Sequence, residues 1–466
     1  MKSLTTRTFL ETGAKVFSGG TVPDELALML NKKYMSSLLS NRLFGGATIT
    51  DCQIQYTRYK TYRKPASTRK AFLSVSYLLD FDCNKAPAIV LAKGYLDGRG
   101  NTVYTSLLEL QRHQVHYLAD HDMLLWRFPS DPAMPWLSRL MNSETVLDLL
   151  PWQQLESADA APSGKLEAQA EVVHYRPEQR CMIRYRLNDG NGYVCGPEIY
   201  GKTFVDDQAR IISQRIMHHW QAGCEKRDRF LVGRPLGWLP QFNLIWQQGL
   251  SVTPMTEALQ NSDPLPLLER IAIALTGFHR DTGAECELLA PEHHITETAK
   301  KLDKLERAFP EYRQRLSTLA EQIAGDARRA VAPENCLIHN DLHLRQLGVA
   351  DNRIALFDFD EFHCGDPTQD LADFVVDLLQ IDGERADNIK LARSFLSAYA
   401  HHVDWRIDVA NLNWHIRNKL IAKTYRAHTQ QLPALQETVA ELLDLAHTVE
   451  QYDLLVESKQ TTGARS

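Results

Sequence analysis

The chain has 466 residues, 44% of them hydrophobic and 24% charged, which is the make-up of a globular protein with room for two or three domains. A net charge of −6 gives no sign of a nucleic-acid footprint, which would need a basic face. No stretch approaches the ~18 apolar residues of a membrane helix, and the N-terminal MKSLTTRTFLETGAKVF lacks an apolar signal-peptide core. A soluble, cytoplasmic protein is expected, and the oligomeric state is left open. Cys52, Cys83, Cys181, Cys195, Cys224, Cys286, Cys336 and Cys364 form no C-x-x-C and no zinc spacing, and are expected to be reduced, buried thiols.

Three blocks follow one another. In residues 1–150, TVPDELALMLNKKYMSSLL reads as a helix, and IQYTRYKTYRKPASTRKAFLSVSYLLDF alternates like a hairpin with PAST as its turn. Residues 156–169 read as a solvated linker. In residues 151–250, EVVHY, the turn PEQR and CMIRYRL form an antiparallel pair, with Cys181, Ile183, Tyr185 and Leu187 on one face. EIYGKTFV is a third strand. DDQARIISQRIMHHW is a helix capped by Asp206 or Asp207, with Ala209, Ile212, Ile216 and Trp220 on its apolar face. FNLIWQQG is a further strand. Residues 251–466 are mainly helical: Leu268, Ile271, Ala272, Leu275 and His279 share a stripe, and a strand pair from NCLIHN and RIALFDFD interrupts the helices. A weak internal echo links YRKPASTRKAFLSVSY plus LAKGY to YRPEQRCMIRY plus YGKTF; two unrelated basic hairpins explain it equally well.

Gly196 to Thr203 formally match the phosphate-binding pattern G-x-x-x-x-G-K-T. The context fails on both sides. A true phosphate loop runs from a buried strand into a helix that starts at the Lys. Here Phe204 and Val205 continue a strand, and Pro197 removes a donor that the nest needs. A second pattern accounts for the lysine better. His339-x-Asp341 closes a short strand, Gln346 follows five residues later, and Asp358 ends an apolar run. Phosphoryl transfer needs this set: a carboxylate to take the acceptor proton, hard oxygens to hold Mg²⁺, and a lysine to neutralise phosphates.

HNDLHLRQ, LFDFD and GDPTQDLADF, in that order, resemble the aminoglycoside phosphotransferase and choline kinase-like family, over roughly residues 170–450. The resemblance implies an α+β, bilobal protein-kinase-like fold with a small antiparallel-sheet N-lobe, a mainly helical C-lobe and an extra N-terminal domain. It implies ATP and Mg²⁺, with Asp341 as catalytic base, Asp358 as principal metal ligand, Gln346 in place of the usual Asn, Lys202 on the α- and β-phosphates, and Trp246, Gln247 and Gln248 as the hinge behind adenine. Asp360 assists the metal or faces solvent; Arg180 contacts phosphate or is a solvated turn residue. Gln346 is similar to the pattern of maltokinases and other sugar-directed members, which suggests a sugar, polyol or amino sugar as hydroxyl acceptor. His339 and His343 read as structural, and Asp366 and Asp370 as acids that cap a helix and brace the loop. The His pairs at 218–219, 293–294 and 401–402 fail as metal sites because adjacent helical side chains diverge. Trp405, Trp414 and Tyr425 are acceptor-pocket rings or helix packing. The helix after Lys202 has no Glu before Glu225, and the PEQR turn has no glycines. Both departures support the alternative, a pseudokinase or regulatory nucleotide-binding module.

Overall fold

The computed structural model describes residues 21–62, 70–82, 86–155, 166–189, 191–281, 283, 286–329 and 336–455. The PAST turn, the greater part of the 156–169 segment and Cys83 lie outside them. The chain forms two compact units: Met1–Ser213 with Pro235–Gly249 and Tyr425–Val439, and Gln214–Arg234 with Leu250–Thr424 and Ala440–Ser466.

The first unit contains two antiparallel five-stranded sheets built by the same succession of elements. Helices α1 (Asp24–Ala27) and α2 (Lys32–Leu43) lead into β1 (Ile49–Tyr62), β2 (Lys70–Phe81), β3 (Ala88–Tyr95), α3 (Arg99–Glu109), β4 (His116–Leu118) and β5 (Met123–Arg127). Helices α4 (Leu137–Leu140) and α5 (Ser143–Leu149) lead into β6 (Glu167–Arg176), β7 (Arg180–Asn188), β8 (Ile199–Phe204), α6 (Ala209–Glu225), β9 (Pro235–Leu239) and β10 (Leu244–Gln248). The strand orders are β1-β2-β3-β5-β4 and β6-β7-β8-β10-β9.

Local chemistry explains where the sequence reading holds and where it shifts. Along β7 burial alternates strictly, with Cys181, Ile183, Tyr185 and Leu187 inward, as the two-residue period requires. The helix expected over 21–39 breaks at Asn31, whose extended backbone and side-chain oxygen, accepting from the Tyr34 N–H, start α2 afresh. Glu167–Gln169, expected in a linker, pair instead with Arg186–Asn188 as the start of β6. Strand β9 carries no alternating pattern and is held by its pairing with β10.

The second unit is mainly helical: β11 (Thr253–Pro254), α7 (Met255–Asn261), α8 (Pro264–His279), α9 (Pro291–Ala308), α10 (Arg313–Arg329), β12 (Cys336–Ile338), β13 (Leu347–Ala350), β14 (Arg353–Leu356), β15 (His363–Gly365), α11 (Thr368–Leu378), α12 (Arg385–His402), α13 (Val409–Gln430) and α14 (Leu435–Thr448). The predicted stripe of α8 is wholly buried. The two expected strands do not pair with each other. β12 pairs with β15, and β14 pairs with β13 in a tight hairpin turned by Asp351 and Asn352, both at positive φ. The short return strands β13 and β15 give each its own partner. Cys286 and Cys364 form a disulfide with Cα atoms 5.4 Å apart, where reduced thiols were expected. Backbone hydrogen bonds between Glu287, Leu289 and Cys364 bring the two sulfurs together. Cys52 and Cys181 are free and buried, Cys336 is buried, and Cys224 is free but exposed.

Candidate active site

In the second unit one buried carboxylate builds the loop that carries Asp341. Asp370 on α11 accepts the backbone N–H groups of His339 (2.7 Å) and Asn340 (2.8 Å), and its Oδ2 lies 3.1 Å from His279 Nε2. Burial works to raise the Asp370 pKa, but the His279 contact and these amides outweigh it and hold the carboxyl below its ordinary value. The clamp lets Asn340 adopt φ +65° and turns the chain so that Asp341 follows directly on β12. Asp366 accepts the Thr368 N–H at 2.8 Å at the start of α11 and meets Asn411 and His415 with its other oxygen. The two acids brace and cap, as their motif implied. His339 and His343 stay in supporting places, with His343 Nε2 3.9 Å from Asp341 Oδ2.

Strand register brings the expected metal residues together. Leu347 faces Leu356 across β13 and β14, and one step further the Phe357 N–H donates to the Gln346 carbonyl at 2.9 Å. Gln346 therefore lies beside the chain entering Asp358, itself left-handed at φ +65°. Gln346 is 5% exposed, and its Oε1 is a buried acceptor with no hydrogen-bond partner among the described residues. A buried amide oxygen left unpartnered costs about 1–3 kcal/mol. Such an oxygen, on a residue whose backbone pairs with the chain entering Asp358, fits a hard cation such as Mg²⁺. The Asp360 carbonyl accepts from Arg215 Nη1 on α6 at 3.2 Å.

The residue that sequence reasoning missed is Lys419. From α13 its ammonium donates to Asp341 Oδ1 at 3.0 Å and to Asp373 Oδ2 at 2.7 Å. Burial works against the Lys419 charge, yet the two carboxylates prevail and raise its pKa, so it stays protonated. One helical turn further Lys423 donates to Asp377 at 2.6 Å. Two acids spaced by four on α11 thus meet two lysines spaced by four on α13. That matched spacing was the available signal.

In the first unit Lys202 lies in β8 opposite Met182 and Ile245, its ammonium 5.4 Å from the Phe204 ring. The phosphate-loop reading fails here. Helix α6 starts only at Ala209, and the Thr203 hydroxyl is fully buried, donating to the Phe242 carbonyl at 2.6 Å and accepting from Trp136 Nε1 at 2.8 Å. Arg180 opens β7 opposite Phe204. Gln247 and Gln248 end β10. The Trp246 ring, 1% exposed, packs 5.2 Å from Tyr185 and belongs to the core. Glu198, the nearest acid along the strand, is taken by Arg186 at 2.7 Å. His218 and His219, dismissed as ligands, do converge with Asp281, their donor atoms within 4.8 Å of one another. The Arg229 guanidinium, 3.8 Å from the same carboxylate, opposes a cation there. Trp414 is buried against His415, with ring centroids 4.7 Å apart.

The braced Asp341 loop and the Gln346–Asp358 segment thus belong to the second unit, and the lysine-bearing antiparallel sheet to the first. Residues 236–407, less than half of the chain, match the model of the phosphotransferase enzyme family. The match takes in Asp341, Gln346, Asp358 and Asp360 and leaves Lys202 outside. No curated protein matches the sequence. Among solved structures the chain is similar to a spectinomycin phosphotransferase in complex with ADP and spectinomycin (12% identity, TM-score 0.41, covering 64% of this chain and 98% of that one). It is also similar to a choline/ethanolamine kinase family protein from Mesorhizobium loti (12%, 0.42, 63% and 90%). A third is a choline kinase from Cryptosporidium parvum Iowa II (11%, 0.46, 67% and 97%).

Proposed function

We propose that the protein transfers the γ-phosphoryl group of ATP to a hydroxyl of a small molecule, a sugar, polyol or amino sugar. The observation that carries this reading is the Asp341–Lys419 pair, on a chain that five residues later buries the unpartnered amide oxygen of Gln346. Lys419 engages one carboxylate oxygen of Asp341 and sets a positive charge against it. The other oxygen accepts the proton of the acceptor hydroxyl as the nucleophile forms. Gln346 and Asp358, with Asp360, are the residues that would hold Mg²⁺. Bound there, the ion neutralises charge on the phosphates. Lys202 serves the α- and β-phosphates, and residues 177–180 cover them. The permanent cation next to the base disfavours a polycationic acceptor and ranks sugars and polyols above amino sugars.

The test is an ADP-release assay with hexoses, polyols and aminoglycosides as acceptors, for the wild type and Asp341→Asn. General-base removal typically costs about 10²- to 10⁴-fold, and nucleotide binding should survive it. Equal turnover in both proteins would remove Asp341 from the reaction. A second reading, a nucleotide-binding module without turnover, rests on Glu198 being taken by Arg186 and on an α6 with no acid before Glu225. It predicts MgATP binding with no ADP release for any acceptor.

A further inference from the structure

The two sheets of the first unit agree in more than strand order. Lys93 on β3 faces Ser74 and Leu124; Lys202 on β8 faces Met182 and Ile245. Leu124 and Ile245 each stand two residues after a left-handed residue, Asp122 (φ +44°) and Asn243 (φ +41°). Three residues beyond Ser74 and Met182 come Tyr77 and Tyr185, both fully buried. Their hydroxyls donate to the carbonyls of Met29 (2.6 Å) and Leu140 (3.0 Å). Two residues after those carbonyls, Asn31 and Asn142 cap the following helices. Lys93 therefore occupies in the first sheet the place that Lys202 occupies in the second.

Lys93 does something else with that place. Its ammonium pairs with Glu178 at 2.6 Å and lies 5.0 Å from the Phe72 ring centroid. Glu178 is the left-handed tip, φ +58°, of the turn between β6 and β7. The Glu178 N–H donates to Asp131 Oδ2 at 2.8 Å, and the Tyr175 hydroxyl donates to the same oxygen at 2.6 Å. Asp131 is 1% exposed, and its Oδ1 takes the N–H groups of Ala133 and Met134. The tip of the second sheet's hairpin is thus gripped through one backbone N–H and one carboxylate, by side chains that precede the second sheet in the chain.

We propose that the N-terminal sheet is a brace for the 177–180 turn, and that Lys93 and Asp131 are positioning residues for the nucleotide. The proposal rests on the reading above, in which that turn covers the phosphates. A phosphate-covering turn with glycines is held by the ligand through its own N–H groups. This turn has no glycine and is held from outside. A lysine committed to a carboxylate leaves no charge for a phosphate, so the first sheet has exchanged the ligand role of its lysine for a structural one. Pre-organising the turn removes an ordering cost from nucleotide binding.

The test is hydrogen–deuterium exchange over residues 174–181, with MgATP affinity by calorimetry, for the wild type, Lys93→Met, Lys93→Arg, Glu178→Gln and the Lys93→Met/Glu178→Gln pair. Lys93→Met and Glu178→Gln should each speed exchange at the turn and weaken MgATP by roughly 3- to 10-fold, as expected for a partly exposed, coupled ion pair. The double variant should be no worse than either single one, and Lys93→Arg should restore protection. Unchanged exchange and affinity in Glu178→Gln, a substitution at a turn tip that the fold tolerates, would overturn the brace. If the wild type binds no MgATP, the phosphotransferase reading fails, and exchange at the turn alone then decides the brace.

Discussion

Asp341 and Lys419 pair at the candidate site, and they come from opposite ends of legibility. Asp341, Gln346 and Asp358 stand within eighteen positions of one another, in a pattern that phosphoryl transfer explains. Lys419 lies 78 residues beyond Asp341 and no local motif points to it. Trp246, which the resemblance implies as part of the hinge, buries its ring against Tyr185 in the core. Two predictions belong at this scale. Lys419→Met leaves Asp341 and Asp373 facing each other without a counter-charge. Removing one partner of a buried pair costs about 3–5 kcal/mol, so urea unfolding should show a loss of that size together with loss of turnover. Wild-type stability in this variant would mean that the carboxylates are protonated and unpaired. Gln346→Leu removes an orphaned oxygen and should fold at least as well as the wild type. Its Mg²⁺ requirement in the ADP-release assay should rise by at least the roughly 10- to 100-fold that follows loss of a supporting metal contact. An unchanged Mg²⁺ requirement would remove Gln346 from the metal site.

The elements that deliver these residues were legible where one period dominated, as in β7 and α8, and illegible where pairing came from far along the chain. β14 and β12 read as apolar runs, but nothing local says that their partners are the short strands β13 and β15. Helix α6 carries a prediction of its own. His219 is buried among Phe278, Phe359 and Phe362, and burial pushes its pKa down to about 3, as it does for His294 on α9. The folded state resists protonating both, while the unfolded chain takes up protons near pH 6.5. Between those values the unfolded state binds more protons, so stability is complete above about pH 6.5 and falls as the pH drops toward 3. His219→Leu should flatten that acid slope; an unaltered slope would show that His219 does not resist the proton. In β8, a Cβ on Gly201 would lie 3.0 Å from Trp246 and Tyr185 and 3.1 Å from Leu244. Gly201→Val should therefore destabilise by about 1–3 kcal/mol through overpacking, read as a lower urea midpoint at unchanged slope.

At the scale of the whole molecule the sequence carried the helical half and the presence of a strand module, and it carried the echo between the two modules only weakly. The reason is physical. Two sheets can keep the same strand order, the same buried tyrosine and the same helix caps while most surface positions drift, because register and burial constrain only a few side chains per strand. The disulfide was hidden for a similar reason: Cys286 and Cys364 are 78 residues apart and meet through backbone pairing that composition does not reveal.

The central claim is that this chain binds a metal-chelated nucleotide through Asp358. Thermal unfolding with and without MgATP, for the wild type and for Asp358→Asn, tests it most directly. A ligand at 100 times its Kd stabilises the folded state by about 2.7 kcal/mol, a shift of several degrees at roughly 2–4 °C per kcal/mol. The account predicts that shift in the wild type, dependent on Mg²⁺ and lost in Asp358→Asn. No shift in the wild type at millimolar MgATP or MgGTP, or an equal shift in both proteins, would contradict it.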